Sequence, residues 1–248
     1  MSVKTAAVIL AAGLGKRMKS DLPKVLHTIN GKPLVRYLLE TLARLPFEKI
    51  IVVIGHKGEM VKEELKDFPV EFVWQKDQRG TGDAVKCALP VLKDFTGCVV
   101  VANGDVPFLD RRTLESMIAA HHENGASATC MTVVLEDAKN YGRILRVGNS
   151  DRLEAIVEKK DATPEILKIR EINSGVFCFN SAELFWSLGF LDDNNAQREY
   201  YITDTIKILQ DAGKPCRVFR IDDPFEVEGV NSPEELKALE AAYNSRKS

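Results

Sequence analysis

The sequence of 248 residues is 45% hydrophobic and 28% charged, with a formal net charge of −2. That apolar share is ordinary for a globular chain, and the length suffices for one α/β domain or two small lobes with a sizeable core. The near-neutral balance excludes an overall basic surface of the kind that draws nucleic acid or anionic membrane. Neither is expected as a partner, and a local cluster of cations carries more meaning than the total.

The first predicted strand is Ala6–Leu10. Its apolar run lasts to Ala12, then breaks into Gly13 and Gly15, followed by Lys16, Arg17, Lys19 and Lys24. The run is too short to span a membrane, and no basic leader of the signal-peptide kind precedes it. Glycines let the backbone approach a ligand and leave N–H groups free to point at it. Arg17 adds a planar fork of donors suited to phosphate oxygens, and Lys24 adds a point charge. Cations gathered on one strand-end loop suit a polyphosphate. The alternative is a solvated basic turn, with Lys24 a surface lysine lying along apolar neighbours. Two familiar phosphate loops are excluded. GxxxxGK[ST] fails because Leu10 stands at its first glycine and Arg17 follows Gly15-Lys16. GxGxxG fails because Met18 stands at its third glycine and no acidic residue follows a second strand, where the chain reads HTINGKP.

In PLVRYLLETLARL, Leu34, Val35, Leu38, Leu39 and Leu42 share one helical face, with Pro33 in the first turn. Strands are predicted at Ile50–Ile54, Val70–Trp74 and Cys98–Ala102. Apolar strands separated by helices predict a mostly parallel sheet covered on both faces. Ligands of such sheets gather at the carboxyl ends of the strands. The strand Cys98–Ala102 runs into Asn103, Gly104 and Asp105, in a turn closed by Pro107. A carboxylate there, beside a cationic loop, is what Mg²⁺–phosphate chemistry needs. The alternative is a residue that merely caps a turn or the next helix.

In the helix TLESMIAAHHENG, Leu114, Met117, Ile118 and His121 share a face, and Gly125 can cap the end. His121 and His122, near that end, are expected in solvent. With His27 and His56 they show no metal-ligand spacing. The second half holds short strands at Ala126–Leu135, Tyr141–Arg146, Leu153–Val157 and Ile172–Phe179, which predicts mixed or antiparallel additions forming a lid or second lobe. A helix follows at about 200–211. EVEGVN then supplies Glu226, Glu228 and Asn231, the last a candidate second oxygen ligand for the metal. The final helix begins with Ser232 as N-cap, Pro233 at its first position and Glu235 closing a capping box, and residues 245–248 are expected to fray. The five cysteines (Cys87, Cys98, Cys130, Cys178 and Cys216) form no CxxC pair and are expected to be reduced core residues of a cytoplasmic protein.

LAAGLGKRM, LPKVL, WQKDQRGTGDAV, NGDVP, YGRI, VEKKDAT, EINSGVF, NNAQREYYITD and EVEGVN resemble, in order and spacing, the sugar-nucleotide pyrophosphorylases. The match runs from residue 5 to about residue 240. Within that family the motifs are most similar to the uridyltransferase domain of the bifunctional N-acetylglucosamine-1-phosphate uridyltransferase/glucosamine-1-phosphate acetyltransferase group. The resemblance implies an α/β, Rossmann-like nucleotide-diphospho-sugar transferase fold. It further implies one nucleotidyltransferase domain over residues 1–248: a nucleotide-binding part at 5–125, a smaller mixed β sugar-binding part at 126–231, and a C-terminal helix and tail at 232–248. The β-helical acetyltransferase half is not expected here, nor is a site for acetyl-CoA. A monomer or weak oligomer is implied.

By the same resemblance, Leu10, Ala11, Ala12, Gly13, Gly15, Asn103 and Gly104 would contact the nucleotide. Arg17 and Lys24 would neutralise phosphate, and Gln75, Gly80 and Thr81 would read uracil. Asp105 and Asn231 would hold Mg²⁺. Gly142, Glu158, Asn173 and Asn231 would face the amino-sugar. The implied reaction converts UTP and N-acetylglucosamine 1-phosphate into UDP-N-acetylglucosamine and pyrophosphate. Asn103 departs from the pattern, standing where that group has an aromatic residue, which bears on nucleotide or sugar preference. Read without the resemblance, Glu158 beside Lys159 and Lys160 is a surface charge cluster. Two other functions stay open: a pyrophosphorylase for another pair, such as glucose 1-phosphate with UTP or dTTP, and a nucleotide-sugar-binding regulator without turnover.

Overall fold

Residues 5–11, TAAVILA, send alternate side chains to opposite faces, and both sets are apolar, so this strand is stable only when covered on both sides. In the computed structural model, which describes residues 4–247, it is the strand β1 (Thr5–Ala11). The short pair β2 (Thr28–Ile29) and β3 (Lys32–Pro33) leads into α1 (Leu34–Leu42). Then come β4 (Lys49–Ile54), α2 (Gly58–Glu64), β5 (Glu71–Trp74), α3 (Thr81–Lys86) and α4 (Leu89–Leu92). They are followed by β6 (Cys98–Asn103), α5 (Arg111–Glu123), β7 (Ala128–Val134), β8 (Arg143–Arg146) and β9 (Leu153–Val157). The chain closes with α6 (Pro164–Leu167), β10 (Glu171–Asn180), α7 (Ser181–Leu188), α8 (Asp204–Asp211), β11 (Cys216–Arg220) and α9 (Pro233–Lys247).

Among the described residues nine strands form one sheet in the order β11-β7-β10-β6-β1-β4-β5, with β8 and β9 branching from β10. The pairs β1–β4, β1–β6, β4–β5 and β7–β11 are parallel, whereas β10 is antiparallel to both β6 and β7. The architecture is therefore the mostly parallel α/β sheet that the sequence predicts. The antiparallel β8–β9 hairpin forms its mixed extension. Helices cover both faces. On one, α1, α2 and α5 pack Leu38, Val61 and Met117 against Ile9, Val52 and Val100. On the other, α3, α4, α7 and α8 pack Val85, Leu92, Leu184 and Ile206 against Val8, Val53 and Val99. A third cluster, with Tyr37 and Leu239, ties α9 to α1 and buries Val230.

Several local expectations are corrected. Pro33 is not in the first turn of α1 but precedes it with extended ψ 142°, within β3. His121 is buried, because it shares the inward face of α5 with Leu114 and Met117. Its Nδ1 lies 2.8 Å from Thr129 Oγ1, and burial lowers its pKa to about 4. Residues 245–247 continue α9, and Arg246 anchors them by bonds of 2.6 and 2.9 Å to Asp223 while lying over the Phe225 ring. Ser248 lies outside the described residues. The Glu235 N–H donates to the Ser232 hydroxyl oxygen, but the Glu235 carboxylate accepts from the Asn231 N–H rather than from that of Ser232. The cysteines are unpaired, with Cys98, Cys130, Cys178 and Cys216 buried and Cys87 half-buried. No helix among the described residues is long and apolar enough to cross a membrane.

Candidate functional site

The strands β1 and β6 are parallel neighbours in which Leu10 pairs with Asn103, so the loops that leave them open side by side. The Gly104 N–H donates to Leu10 O at 2.9 Å, splicing the two strand ends. A side chain at Gly104 would meet Leu10 O and Val25 at 3.1 Å, so this glycine is a packing requirement beneath the site. Above it opens a cavity of about 800 Å³. Leu10, Ala11, Ala12, Gly13, Gly15, Arg17, Lys24, Gln75, Gly80, Thr81, Asn103, Asp105 and Asn231 all line it. Gly104, Gly142, Glu158 and Asn173 do not, although Tyr141 and Ser174, their chain neighbours, do.

The glycine turn behaves as its composition suggests. Within the described residues the backbone N–H groups of Gly13, Leu14, Gly15 and Lys16 donate to nothing. Gly15 adopts a left-handed φ of +58°, and its missing side chain leaves room for Lys24, whose Cβ would lie 3.1 Å from a Cβ there. The loop thus presents unpaired donors beside two cations, a concavity suited to an anion.

Four side chains converge on the cavity wall. Lys24 Nζ lies 2.5 Å from Asp105 Oδ2 and 3.3 Å from Asn231 Oδ1. Arg17 Nη2 donates to the same Asn231 oxygen at 2.8 Å. Asp105 is deep, with 8% of its side chain exposed. Two oxygen donors that converge on one ammonium can hold a cation between them. No three His, Cys, Asp or Glu side chains gather as ligands among the described residues. A cation here would draw its remaining ligands from substrate oxygens and water, as Mg²⁺ does.

Asn231 is held by its backbone. The Gly229 N–H donates to Tyr141 Oη at 3.3 Å, the Val230 N–H to Asp105 O at 3.3 Å, and the Asn231 N–H to Glu235 Oε2 at 2.7 Å. Gly229 passes so close to Asp105 that a Cβ would sit 3.4 Å from Oδ2. Burial pushes the Tyr141 phenol up to about 12, so it stays protonated while it holds this loop. Neither Tyr141 nor Glu235 stands out in the sequence as a functional residue, because the partners they hold are set by the fold.

Gln75 is buried, and its amide N–H₂ is spent on Gly80 O at 3.0 Å and Asp83 Oδ2 at 2.8 Å. What remains for a ligand is its oxygen, an acceptor. The RGTG turn is pinned from outside by residues 200–202. The Gly82 N–H donates to Tyr200 O, the Tyr200 N–H to Arg79 O, and the Ile202 N–H to Thr81 Oγ1. Because these residues pair with the turn, the helix expected at about 200 starts only at Asp204. A Cβ on Gly80 would come within 2.5 Å of Tyr200 O, which explains the glycine.

Of the four residues assigned to a sugar, Asn231 sits with Lys24 and Arg17, whereas Gly142, Glu158 and Asn173 form a second cluster. The Asn173 N–H donates to Gly142 O at 3.0 Å, and Gly142 lies against the Glu158 carboxylate. Asn173 Oδ1 accepts from the Gly175 N–H at 2.9 Å, which leaves its N–H₂ to donate. Burial raises the Glu158 pKa against the opposing bond from Thr203 Oγ1. It is an enclosed acceptor and not a member of a surface charge cluster with Lys159 and Lys160.

Residues 7–169 match the family described as MobA-like NTP transferase domain. Over 240 residues the chain is 43% identical to the bifunctional protein GlmU of Shouchella clausii (strain KSM-K16), covering 97% of this chain and 52% of that protein. Over 248 residues it is 44% identical to the protein of the same name from Corynebacterium diphtheriae, covering 98% of this chain and 51% of that protein. The chain spans about half the length of the curated relatives it matches. A solved UDP-glucose pyrophosphorylase, complexed with UDP-glucose, shares the fold with a TM-score of 0.78 over 99% of this chain and all of that one, at 18% identity. With its strand-end loops, its cavity and these similarities in agreement, the chain belongs to the family of MobA-like NTP transferase domains.

Proposed function

We propose that the chain is a nucleotidyltransferase that moves UMP from UTP to N-acetylglucosamine 1-phosphate, yielding UDP-N-acetylglucosamine and pyrophosphate. The observation that carries this reading is the convergence of Arg17, Lys24, Asp105 and Asn231 beside a loop of unpaired N–H groups. Two relatives that share 43 and 44% identity with the chain carry the bifunctional name that the motifs lead one to expect.

In the proposed reaction an oxygen of the sugar phosphate attacks the α-phosphorus of UTP, and pyrophosphate leaves in line. The attacking group is already an anion, so no side chain has to remove a proton. The obstacle is repulsion between two polyanions and charge growing on the leaving group, which positioning and electrostatics must overcome. The N–H groups of residues 13–16 would receive triphosphate oxygens. Arg17 and Lys24 would stabilise the pyrophosphate. The free oxygen of Gln75 would accept the imide N–H of uracil, with Gly80 and Thr81 lining the base. Glu158 would accept from sugar hydroxyls, and the Asn173 N–H₂ would donate to the acetamide or the ring. Asp105 and Asn231 would hold Mg²⁺, which when bound supplies positive charge to phosphate oxygens of both substrates.

A panel of sugar phosphates and nucleoside triphosphates, read by pyrophosphate release with Mg²⁺ and with EDTA, tests this. The expected outcome is turnover with UTP and N-acetylglucosamine 1-phosphate that EDTA abolishes. Preference for glucose 1-phosphate or dTTP would overturn the substrate assignment. Tight binding of UDP-N-acetylglucosamine without any turnover would overturn the enzyme.

A further inference from the structure

On the cavity wall the chain satisfies its own charges. Both side chains that would receive a metal, Asp105 and Asn231, hold Lys24 Nζ, through Asp105 Oδ2 at 2.5 Å and Asn231 Oδ1 at 3.3 Å. Both cations that would receive phosphate, Lys24 and Arg17, are in turn engaged by Asp105 and Asn231. A carboxylate as enclosed as Asp105 needs a counter-charge, and Lys24 is the group that supplies it. The placement is built into the backbone. Lys24 opens a short turn over residues 24–26 behind Pro23, and the bare Cα of Gly15 lets its stem lie against the loop.

We infer that Lys24 is the resident counter-ion of the cation site, so that a divalent cation and the Lys24 ammonium exclude one another from Asp105. This rests on the reading of Asp105 and Asn231 as the metal ligands. A divalent cation held by Asp105 and Asn231 would need the one oxygen that Asn231 offers, which Lys24 now shares, and two positive charges that close repel. Metal on its own must displace Lys24 into water and therefore binds weakly. A nucleoside triphosphate gives Lys24 and Arg17 new oxygens to hold, which frees Asp105 and Asn231. Nucleotide and metal binding are then positively coupled through one side chain, and the coupling is reciprocal. The device keeps the site from filling with metal before the substrate that needs it arrives.

Mn²⁺ binding to the nucleotide-free protein, followed by electron paramagnetic resonance, tests the inference without reference to turnover. Lys24→Met removes the competitor and keeps the stem, so it should bind Mn²⁺ about tenfold more tightly than the wild type, within the usual range of coupling. The double variant Lys24→Met/Asp105→Asn should lose that binding. Equal or weaker Mn²⁺ binding by Lys24→Met, with binding still lost in the double variant, overturns the exchange and leaves the metal site standing. Binding that survives in the double variant overturns both the exchange and the assignment of the metal ligands. The wild type supplies a check that needs no variant: titration with Mg²⁺ alone should shift one lysine ¹⁵Nζ resonance in step with binding. Saturation with every lysine signal unmoved would overturn the exchange.

Discussion

Asp105 and Asn231 are separated by more than half the chain, yet both belong to one constellation because Lys24, the counter-charge that the buried carboxylate needs, reaches both. Replacing Asp105 with Asn keeps the shape and removes the charge. Turnover should fall on the order of 100- to 1,000-fold, the usual loss when a transition-state electrostatic contact is removed. Arg17→Ala should lose a similar factor. Steady-state kinetics beside thermal denaturation checks both, with melting temperatures expected to stay near the wild type for the exposed Arg17. Tyr141 acts one step removed, through the Gly229 N–H it accepts. Tyr141→Phe deletes that acceptor alone, worth about 1 kcal/mol or roughly fivefold. The Mg²⁺ concentration for half-maximal turnover should rise by about that factor, while kcat at saturating Mg²⁺ changes little. A loss of kcat at all Mg²⁺ concentrations would show that Tyr141 does more than position the loop. Arg17, Lys24 and Asp105 are legible in the sequence because charge at a strand end is conspicuous. Tyr141 is not, since its partner lies 88 positions away and nothing local marks the pairing.

At the scale of elements, helices and strands with both a clear period and a buried face are readable, and those lacking one are not. In β11 the residues Cys216 and Val218 are buried while Arg217 and Phe219 are half-buried and Arg220 is exposed, so its apolar pattern is thin, and it exists because β7 offers it an edge. His121 was hidden for the opposite reason. Its helical position is apolar by period, but its type suggests solvent, and position prevails because Thr129 satisfies its ring nitrogen. The start of α8 joins local and tertiary effects. Asp204 begins the helix close to Glu158, and burial, with Asp192 and Asp161 nearby, raises its carboxyl from 3.8 to about 6. Between those values the native chain holds a proton that the unfolded chain has released. Its stabilising contribution is therefore full below about pH 4 and is lost as pH rises through about 6. Asp204→Asn should match the wild type near pH 4 and exceed it above pH 7 by on the order of 2 kcal/mol. Urea denaturation at the two pH values measures this. A variant equally stable to the wild type at both would mean that the carboxylate is ionised without penalty.

At the scale of the whole molecule, the order of the strands decides how the halves of the chain depend on each other. β10 comes from the second half but is hydrogen-bonded between β6 and β7, with Phe177 opposite both Val101 and Cys130. The two apolar layers run along the same sheet. One joins Val52 and Val61 to Met131 and Ile172, and the other joins Val53 and Val85 to Ile206 and Leu209. Parting the halves would open both layers and break the β6–β10 ladder, so each half would lose part of the core it shares with the other. A chain of this length is large enough for intermediates, which makes cooperativity a real test. The two tryptophans are well placed to apply it. Trp74 lies at the β5 edge of the sheet, and Trp186 lies on α7, which packs on β10, with its ring tilted against Phe190. Trp74→Phe and Trp186→Phe each leave a single indole that reports on one region. Their urea transitions, followed by fluorescence and by far-ultraviolet circular dichroism, should each coincide, because a single sheet must come apart as a whole. Adding Phe177→Ala to either should cost about 3–5 kcal/mol and move the Trp74 and Trp186 midpoints by equal amounts, although the mutated side chain belongs to the second half alone. A Trp74 transition that stays in place while the Trp186 transition moves would mean that the strands from β1 to β5 fold as a unit independent of β10, and that the shared layers do not bind the halves together.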